Sequence, residues 1–256
     1  MDIHKAASDL LVAERTKNPI DPFTSSTNIS VDDAYQIQLL QIDEKLKGAH
    51  LVGMKIGLTS KVMQTMFNVD TPDFGHILNN MVFENKAKVS VSQFIHPKVE
   101  FELAFILNKD LKGPGITPEQ VLAATESIVP AIEIIDSRIK DWKFKFQDTV
   151  ADNGSSAGAV LGEKGPVPSL DDLAEIHVTA KKNDVVFDEG ISGAVMGNPV
   201  NAVAWLANML AEYDISLKEG QFILAGAITA AVPFESGDVF EVDFGSYGIV
   251  ELSFTD

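Results

Sequence analysis

Apolar residues change their spacing about a fifth of the way along the chain. Before residue 50 they recur at helical intervals: Ala6, Leu10, Leu11 and Ala13 form one stripe, and Ala34, Ile37, Leu40 and Ile42 another. The second helix opens at "SVDD", where Ser30 can cap the first turn and Asp33 can reach back to complete a capping box, and Gly48 supplies a stop. From Leu51 onward the apolar runs shorten to strand length. "LVGMKIG", "KVEFELAFIL" and "PAIEIID" read as strands, as do "GQFILAG", "VFEVDF" and "GIVELSF" further on. A turn at Gly113-Pro114-Gly115 leads into a helix at "TPEQ", with Thr117 as cap, Pro118 in the first turn and Gln120 completing a box, running to about Ser127. "KDWKFKFQD" alternates lysine with aromatic residues, as a half-buried strand would. "DTVADNGSSAG" reads as a polar loop, Lys182-Asn183-Asp184 as a hairpin turn, and residues from about Val200 to Glu212 as a helix. Helices first and many strands afterwards predict an α+β fold with a mostly antiparallel core. No linker or repeat divides the 256 residues, so a single domain is expected, with 1–50 as a helical N-terminal region and 51–256 as a β-rich core. Neither a GxGxxG nor a P-loop motif is present.

Charge narrows the partners. With 37 acidic against 20 basic residues the chain carries a formal charge of −17, which argues against nucleic acid or an anionic membrane surface. An anionic small molecule remains compatible if a bound divalent cation reverses the local field. The chain has no cysteine, so disulfides, zinc–thiolate sites and thiol nucleophiles are excluded. The opening residues are charged throughout and lack the apolar core of a signal peptide, and no apolar run approaches the roughly 20 residues needed to cross a bilayer. A cytoplasmic protein is expected.

The chemistry is carried by carboxylates in apolar company. In "HPKVEFELAF", strand alternation puts Val99, Phe101 and Leu103 on one face and Glu100 and Glu102 on the other; the two carboxylates then stand roughly 6–7 Å apart along the strand. Either that face is wet, or a cation sits on it. Glu133 lies in "AIEIID", where Ile132, Ile134 and Ile135 leave little room for solvent. Three carboxylates from two strands would make a hard, oxygen-only site suited to Mg2+ or Mn2+, although an ExE pair also marks the exposed face of a half-buried sheet. Lys55, mid-strand among apolar residues, reads either as a desolvated proton-transfer group or as an ordinary lysine at a strand edge. Arg138, one of two arginines, can clamp a carboxylate bidentately or pair with Asp136 or Asp141. His96 reads as a turn histidine. "GAITAAVP" (226–233) combines small residues that admit close backbone approach with the hydroxyl of Thr229, or is a loop between strands.

Longer stretches add a resemblance. "KIGLTSKVMQ…TPDFGHIL" (55–78), "IHPKVEFELAFIL" (95–107), "GPGIT" (113–117), "PAIEIIDSRIKDWKFKFQDTVADNGSS" (130–156) and "GNPVNAVAWLANML" (197–210) resemble the 2-hydroxypenta-2,4-dienoate hydratases, also called 2-keto-4-pentenoate hydratases. These act in meta-cleavage degradation of aromatic compounds. They group with the 4-oxalocrotonate decarboxylases in the wider fumarylacetoacetate hydrolase-like superfamily. The resemblance implies a mixed β-roll core of the fumarylacetoacetate hydrolase C-terminal type, a divalent metal and a homo-oligomer, and it leaves open a complex with a decarboxylase. It places the metal ligands on Glu100, Glu102 and Glu133 and the acid/base groups on Lys55 and Asp73, with Arg138, Ser156 and Thr229 as candidate substrate-binding donors. The implied substrate is a small 2-hydroxy or 2-oxo acid. Ketonisation of 2-hydroxypenta-2,4-dienoate through a metal-stabilised enolate, protonation at C5 and addition of water at C4 yield 4-hydroxy-2-oxopentanoate. "GAITAAVP" is closer to the decarboxylase branch, whereas "KIGLTSKVMQTMFNVDTPDFG" and "DWKFKFQDTVADN" are closer to the hydratases. Three alternatives stand beside the hydratase: a 4-oxalocrotonate decarboxylase, a hydratase of a longer 2-oxo-heptenedioate, and a non-catalytic scaffold for a decarboxylase. A carbon–carbon bond hydrolase of the superfamily would need a His–Glu pair, for which no counterpart stands out.

Overall fold

The computed structural model describes residues 1–256. Helix α1 (Ile3–Thr16) is capped by Asp2, whose carboxylate accepts the Lys5 N–H. Helix α2 (Val31–Lys45) is capped by Ser30, which accepts the Asp33 N–H; the reciprocal half of the expected box is not made. Ala6, Leu10, Ala13, Ala34, Ile37 and Ile42 are buried as their spacing predicts, while Leu11 and Leu40 stay half-buried. Two sheets follow. The chain continues through β1 (Leu51–Gly57), α3 (Lys61–Phe67), β2 (Asp73–Leu78), β3 (Val82–Phe83), β4 (Lys88–Ser90) and β5 (Lys98–Leu107). Next come α4 (Pro118–Ala123), β6 (Thr125–Ile135), α5 (Phe146–Ala151), β7 (Ser156–Leu161), α6 (Leu170–Leu173), β8 (His177–Lys182) and β9 (Val185–Ile191). The last elements are α7 (Pro199–Leu210), β10 (Phe222–Leu224), β11 (Val232–Pro233), β12 (Val239–Asp243) and β13 (Ile249–Thr255).

The larger sheet has the order β2-β1-β10-β5-β6-β7-β3, with β11 pairing antiparallel to the start of β5; the smaller has β4-β13-β12-β8-β9. Only the β1–β10, β3–β7 and β4–β13 pairings are parallel, so the α+β fold with a mostly antiparallel mixed core is observed. The larger sheet rolls until β7 lies beside β2. Val99, Phe101, Leu103, Ile132 and Ile134 face the main core, which is continuous with Leu10 and Ile37 of the N-terminal helices and with Phe240 and Leu252 of the smaller sheet. The opposite face is lined at one end by Ile77, Ala104, Val129, Ala131 and Leu224. Its other end carries Glu100, Glu102 and Glu133. No helix is long and apolar enough to cross a membrane.

Three local expectations are corrected. Helix α4 ends at Ala123 rather than near Ser127, because Thr125 and Ser127 are drawn into the ladder opposite Leu107 and Ile106 of β5. "KDWKFKFQD" is not a strand. A 3-10 turn at Lys140–Trp142 is followed by α5, because the Asp148 carboxylate accepts the Lys145 N–H at the start of the helix, a local bond that competes with a sheet ladder, and is held there by the N–H and hydroxyl of Thr24 from far along the chain. Phe144 packs at a tilt against Trp142, 5.9 Å away, and stacks on Phe67 of α3 at 5.7 Å. "DTVADNGSSAG" is not a solvated loop either: it forms the end of α5, a buried turn at Asn153–Ser155 and the start of β7. The hairpin at Asn183-Asp184 does form, with both residues at positive φ (54° and 65°), as a two-residue turn between right-twisted strands requires.

Candidate metal centre

Strand register assembles the site. In the β5–β6 ladder Glu100 stands directly opposite Glu133, and Glu102 lies two residues along on the same face. One carboxylate oxygen from each of the three falls within 4.8 Å of the others. Glu102 and Glu133 are wholly buried and Glu100 is half-buried at the rim. Like charges opposed across a ladder repel, and burial deprives them of water. Burial, then Glu133 and Glu100, push the Glu102 carboxyl well above its ordinary range. Burial also lifts Glu133 to about 7 against the pull of Lys55, and raises Glu100. Glu102 Oε1 and both Glu133 oxygens lack hydrogen-bond partners, while Glu102 Oε2 accepts the Gly226 N–H at 2.7 Å. A small divalent cation fits this donor set: hard, all oxygen, and otherwise unsatisfied.

Lys55 and Asp73 are brought to the same place by the β1–β2 ladder, in which Lys55 pairs with Gly75 and Gly57 with Asp73. Lys55 Nζ lies 3.4 Å from Glu133 Oε2 and donates to the Gly154 carbonyl at 3.1 Å. Burial works to deprotonate Lys55, but Glu133, Asp73, Glu100 and Glu102 outweigh it and hold the ammonium. Asp73 is raised by burial, with Lys55 opposing, and its Oδ1 is unpartnered. A β-carbon on Gly57 would overlap Asp73 Oδ1 and sit 3.1 Å from Lys55 Nζ, so glycine leaves the small space that both groups flank. Glycine is required at 226 twice over, by its φ of 118° and because a β-carbon there would collide with Thr59; its N–H serves Glu102.

Ser156 Oγ, beside Glu133, and Thr229 Oγ1 are buried hydroxyls without partners. Of the seven such orphaned side-chain atoms in the molecule, six belong to residues the sequence singles out. Arg138 is engaged within the fold. Its guanidinium donates from Nε to Asp152 Oδ1 at 2.6 Å, from Nη1 to the Asp136 and Ser156 carbonyls, and from Nη2 to the Asp152 carbonyl, so it clamps the segment between β6 and β7. Neither Asp136 nor Asp141 is its carboxylate partner. Asp136 instead accepts the Ile95 and His96 N–H groups, which sets the start of β5, and the His96 side chain is exposed. Sequence reasoning missed Asp152, Asn153 and the buried Gln38–His76 pair. The "ADNG" run, rich in residues that tolerate left-handed backbone, was the available signal.

Residues 56–255 match the model of the fumarylacetoacetate (FAA) hydrolase C-terminal family. The chain belongs to that family. Within it, the chain is 43% identical over 251 residues to a 2-hydroxyhexa-2,4-dienoate hydratase of Comamonas testosteroni, covering 96% of this chain and 95% of the relative. It is 43% identical over 217 residues to a 2-hydroxypent-2,4-dienoate hydratase of Pseudomonas putida, covering 84% and 98%. Among solved structures, 4-oxalocrotonate decarboxylase from Pseudomonas putida G7, complexed with magnesium and adipate, superposes with a TM-score of 0.93 at 35% identity, over 98% of this chain and 97% of that one. The FAA hydrolase match begins inside β1, so α1 and α2 lie outside the family model, whereas the two hydratases and the decarboxylase align with most or all of the chain.

Proposed function

We propose that the protein is a divalent-metal-dependent hydro-lyase that adds water to 2-hydroxypenta-2,4-dienoate to give 4-hydroxy-2-oxopentanoate, in the degradation of aromatic compounds by meta-cleavage. The observation that carries this reading is the convergence of Glu100, Glu102 and Glu133 with Lys55 and Asp73 at one end of the rolled sheet. Similarity to hydratases at 43% identity supports the reaction class. Glu100, Glu102 and Glu133 would hold Mg2+ or Mn2+. When bound, such an ion would supply Lewis-acid polarisation of the oxygens of a 2-oxo acid. The chain's own groups move the protons. Over the whole reaction the 2-hydroxyl proton leaves, C5 and C3 each gain a proton, and the hydroxyl of water ends on C4. Lys55, held as the ammonium beside Glu133, is the proton donor, and Asp73, buried and unpartnered at Oδ1, is the acceptor. Ser156 and Thr229 offer free hydroxyls to the substrate's carboxylate. We read the working form as a cytoplasmic homo-oligomer, whose subunit number sedimentation of the native protein would establish.

The test supplies 2-hydroxypenta-2,4-dienoate and 4-oxalocrotonate separately with magnesium. Loss of dienoate absorbance without carbon dioxide release is the expected result. A second reading, decarboxylation of 4-oxalocrotonate, is favoured by the TM-score of 0.93 to that decarboxylase and by "GAITAAVP". Carbon dioxide release from the dicarboxylate would install it instead. Faster turnover of a heptenedioate than of the pentadienoate would shift the assignment to the longer substrate.

A further inference from the structure

The turn Asn153-Gly154-Ser155 lies at the seam of the rolled sheet, where β7 runs beside β2 without a backbone ladder. The Asn153 side chain bridges that gap. Its Oδ1 accepts the His76 N–H at 2.8 Å and its Nδ2 donates to the His76 carbonyl at 3.0 Å, the pair of bonds an adjacent strand would make. A β-carbon on Gly75 would overlap the Asn153 carbonyl, so glycine admits the turn to the edge of β2. The three residues of the turn have φ values of 57°, 58° and 57°. Left-handed backbone is disfavoured at non-glycine residues, and it persists only where neighbours enforce it. Behind the turn, Ser155 donates its N–H to the Asp152 carbonyl and accepts from the Asp136 N–H, tying it to the segment clamped by Arg138. This winding aims the Gly154 carbonyl at Lys55, whose Nζ donates to it at 3.1 Å.

We propose that Asn153 is a positioning residue: by clasping both backbone groups of His76 it holds the left-handed turn whose Gly154 carbonyl fixes the Lys55 ammonium beside Glu133 and Asp73. Asn153 touches no reacting atom and acts through Lys55. The kinetic arm of the test rests on the hydratase reading; the structural arm does not. Asn153→Gly keeps the preference for positive φ while deleting both bonds to His76. With the magnesium-loaded protein and 2-hydroxypenta-2,4-dienoate, kcat is expected to fall about 10- to 100-fold, the scale of a misplacement near 1 Å, with KM and magnesium affinity within about twofold. In a Lys55→Ala background the same substitution should add no further loss, because the lysine it positions is gone. Equal fold-losses in both backgrounds, or a rise in KM with kcat kept, would mark a merely structural role and overturn the proposal. If Asn153→Gly does not fold, Gly154→Ala serves. It leaves the Asn153 bonds in place but puts a methyl 3.2 Å from Lys55 Cδ, and unchanged kcat there would also overturn the proposal. Independently of any substrate, a crystal structure of Asn153→Gly should show Lys55 Nζ withdrawn from the Gly154 carbonyl; an intact 3.1 Å contact would refute the inference.

Discussion

Glu133 concentrates the electrostatics of the site in one residue. It faces Glu100 across the ladder, lies 3.4 Å from Lys55 Nζ and has no hydrogen bond to either oxygen. Removing one charge from such a cluster relieves repulsion but deletes a ligand. Glu102→Gln is therefore expected to abolish metal-dependent turnover while the metal-free fold stays as stable as before or gains stability. Calorimetric titration with magnesium and thermal melting would check both, and retained activity under chelation would contradict the ligand assignment. Glycine matters here for space rather than flexibility. Gly57→Ala pushes a methyl into Asp73 Oδ1, so Asp73 must swing out of the site. Turnover should drop by about 100-fold or more with little change in magnesium affinity, since a misplaced proton carrier loses the advantage of orientation.

Between elements, two glutamines of α2 do what their polar character hides in a sequence pattern. Gln38 Nε2 donates to the Phe74 and Val150 carbonyls, and its Oε1 accepts from His76 Nδ1–H; Gln41 Nε2 donates to the Ala151 carbonyl. Helix α2 is thereby fastened to β2 and α5, which carry Asp73 and lead into the Asn153 turn. Gln38→Ala strands three buried polar groups and should cost about 2–4 kcal/mol in denaturant unfolding. His76 gives the same joint a pH dependence. Burial drops its pKa to about 4 from 6.5. The unfolded chain therefore binds a proton that the native state refuses. Stability that is full above pH 6.5 is lost as pH falls toward 4, by about 3 kcal/mol from this group. The difference between wild-type and His76→Gln stability curves over that window isolates it, and parallel curves would show that His76 does not titrate in this way.

For the molecule as a whole, the excess of negative charge and the buried carboxylates pose one problem with one solution. Without a cation, the native state keeps protons near Glu133, whose pKa is raised to about 7, that the unfolded chain would release above 4.5. That contribution to stability is present at low pH and is lost as pH rises through 7. Cation binding reverses the trend, because it displaces those protons. Chelation should thus lower the melting temperature far more at pH 8 than at pH 5, and magnesium affinity should weaken as pH drops below 7. A melting temperature indifferent to chelation at pH 8 would argue that the cluster holds no ion.

Much of this protein was legible in its sequence for a simple reason. Strand period two put Glu100 and Glu102 on one face regardless of context, and aliphatic neighbours marked Glu133 as buried. The caps at Ser30 and Thr117 and the turn at Asn183-Asp184 are local chemistry read within four residues. What only the tertiary structure decided depends on register and on residues far apart in the chain. It set Glu100 opposite Glu133, gave Arg138 to Asp152 rather than to Asp136 or Asp141, turned "DNGSS" from a loop into a buried left-handed turn, and made β6 begin before its helix was expected to end. The first follows from strand register, which leaves carboxylates facing one another without partners, and the others from buried polar groups finding partners across the fold; no local pattern encodes which residue lies within reach.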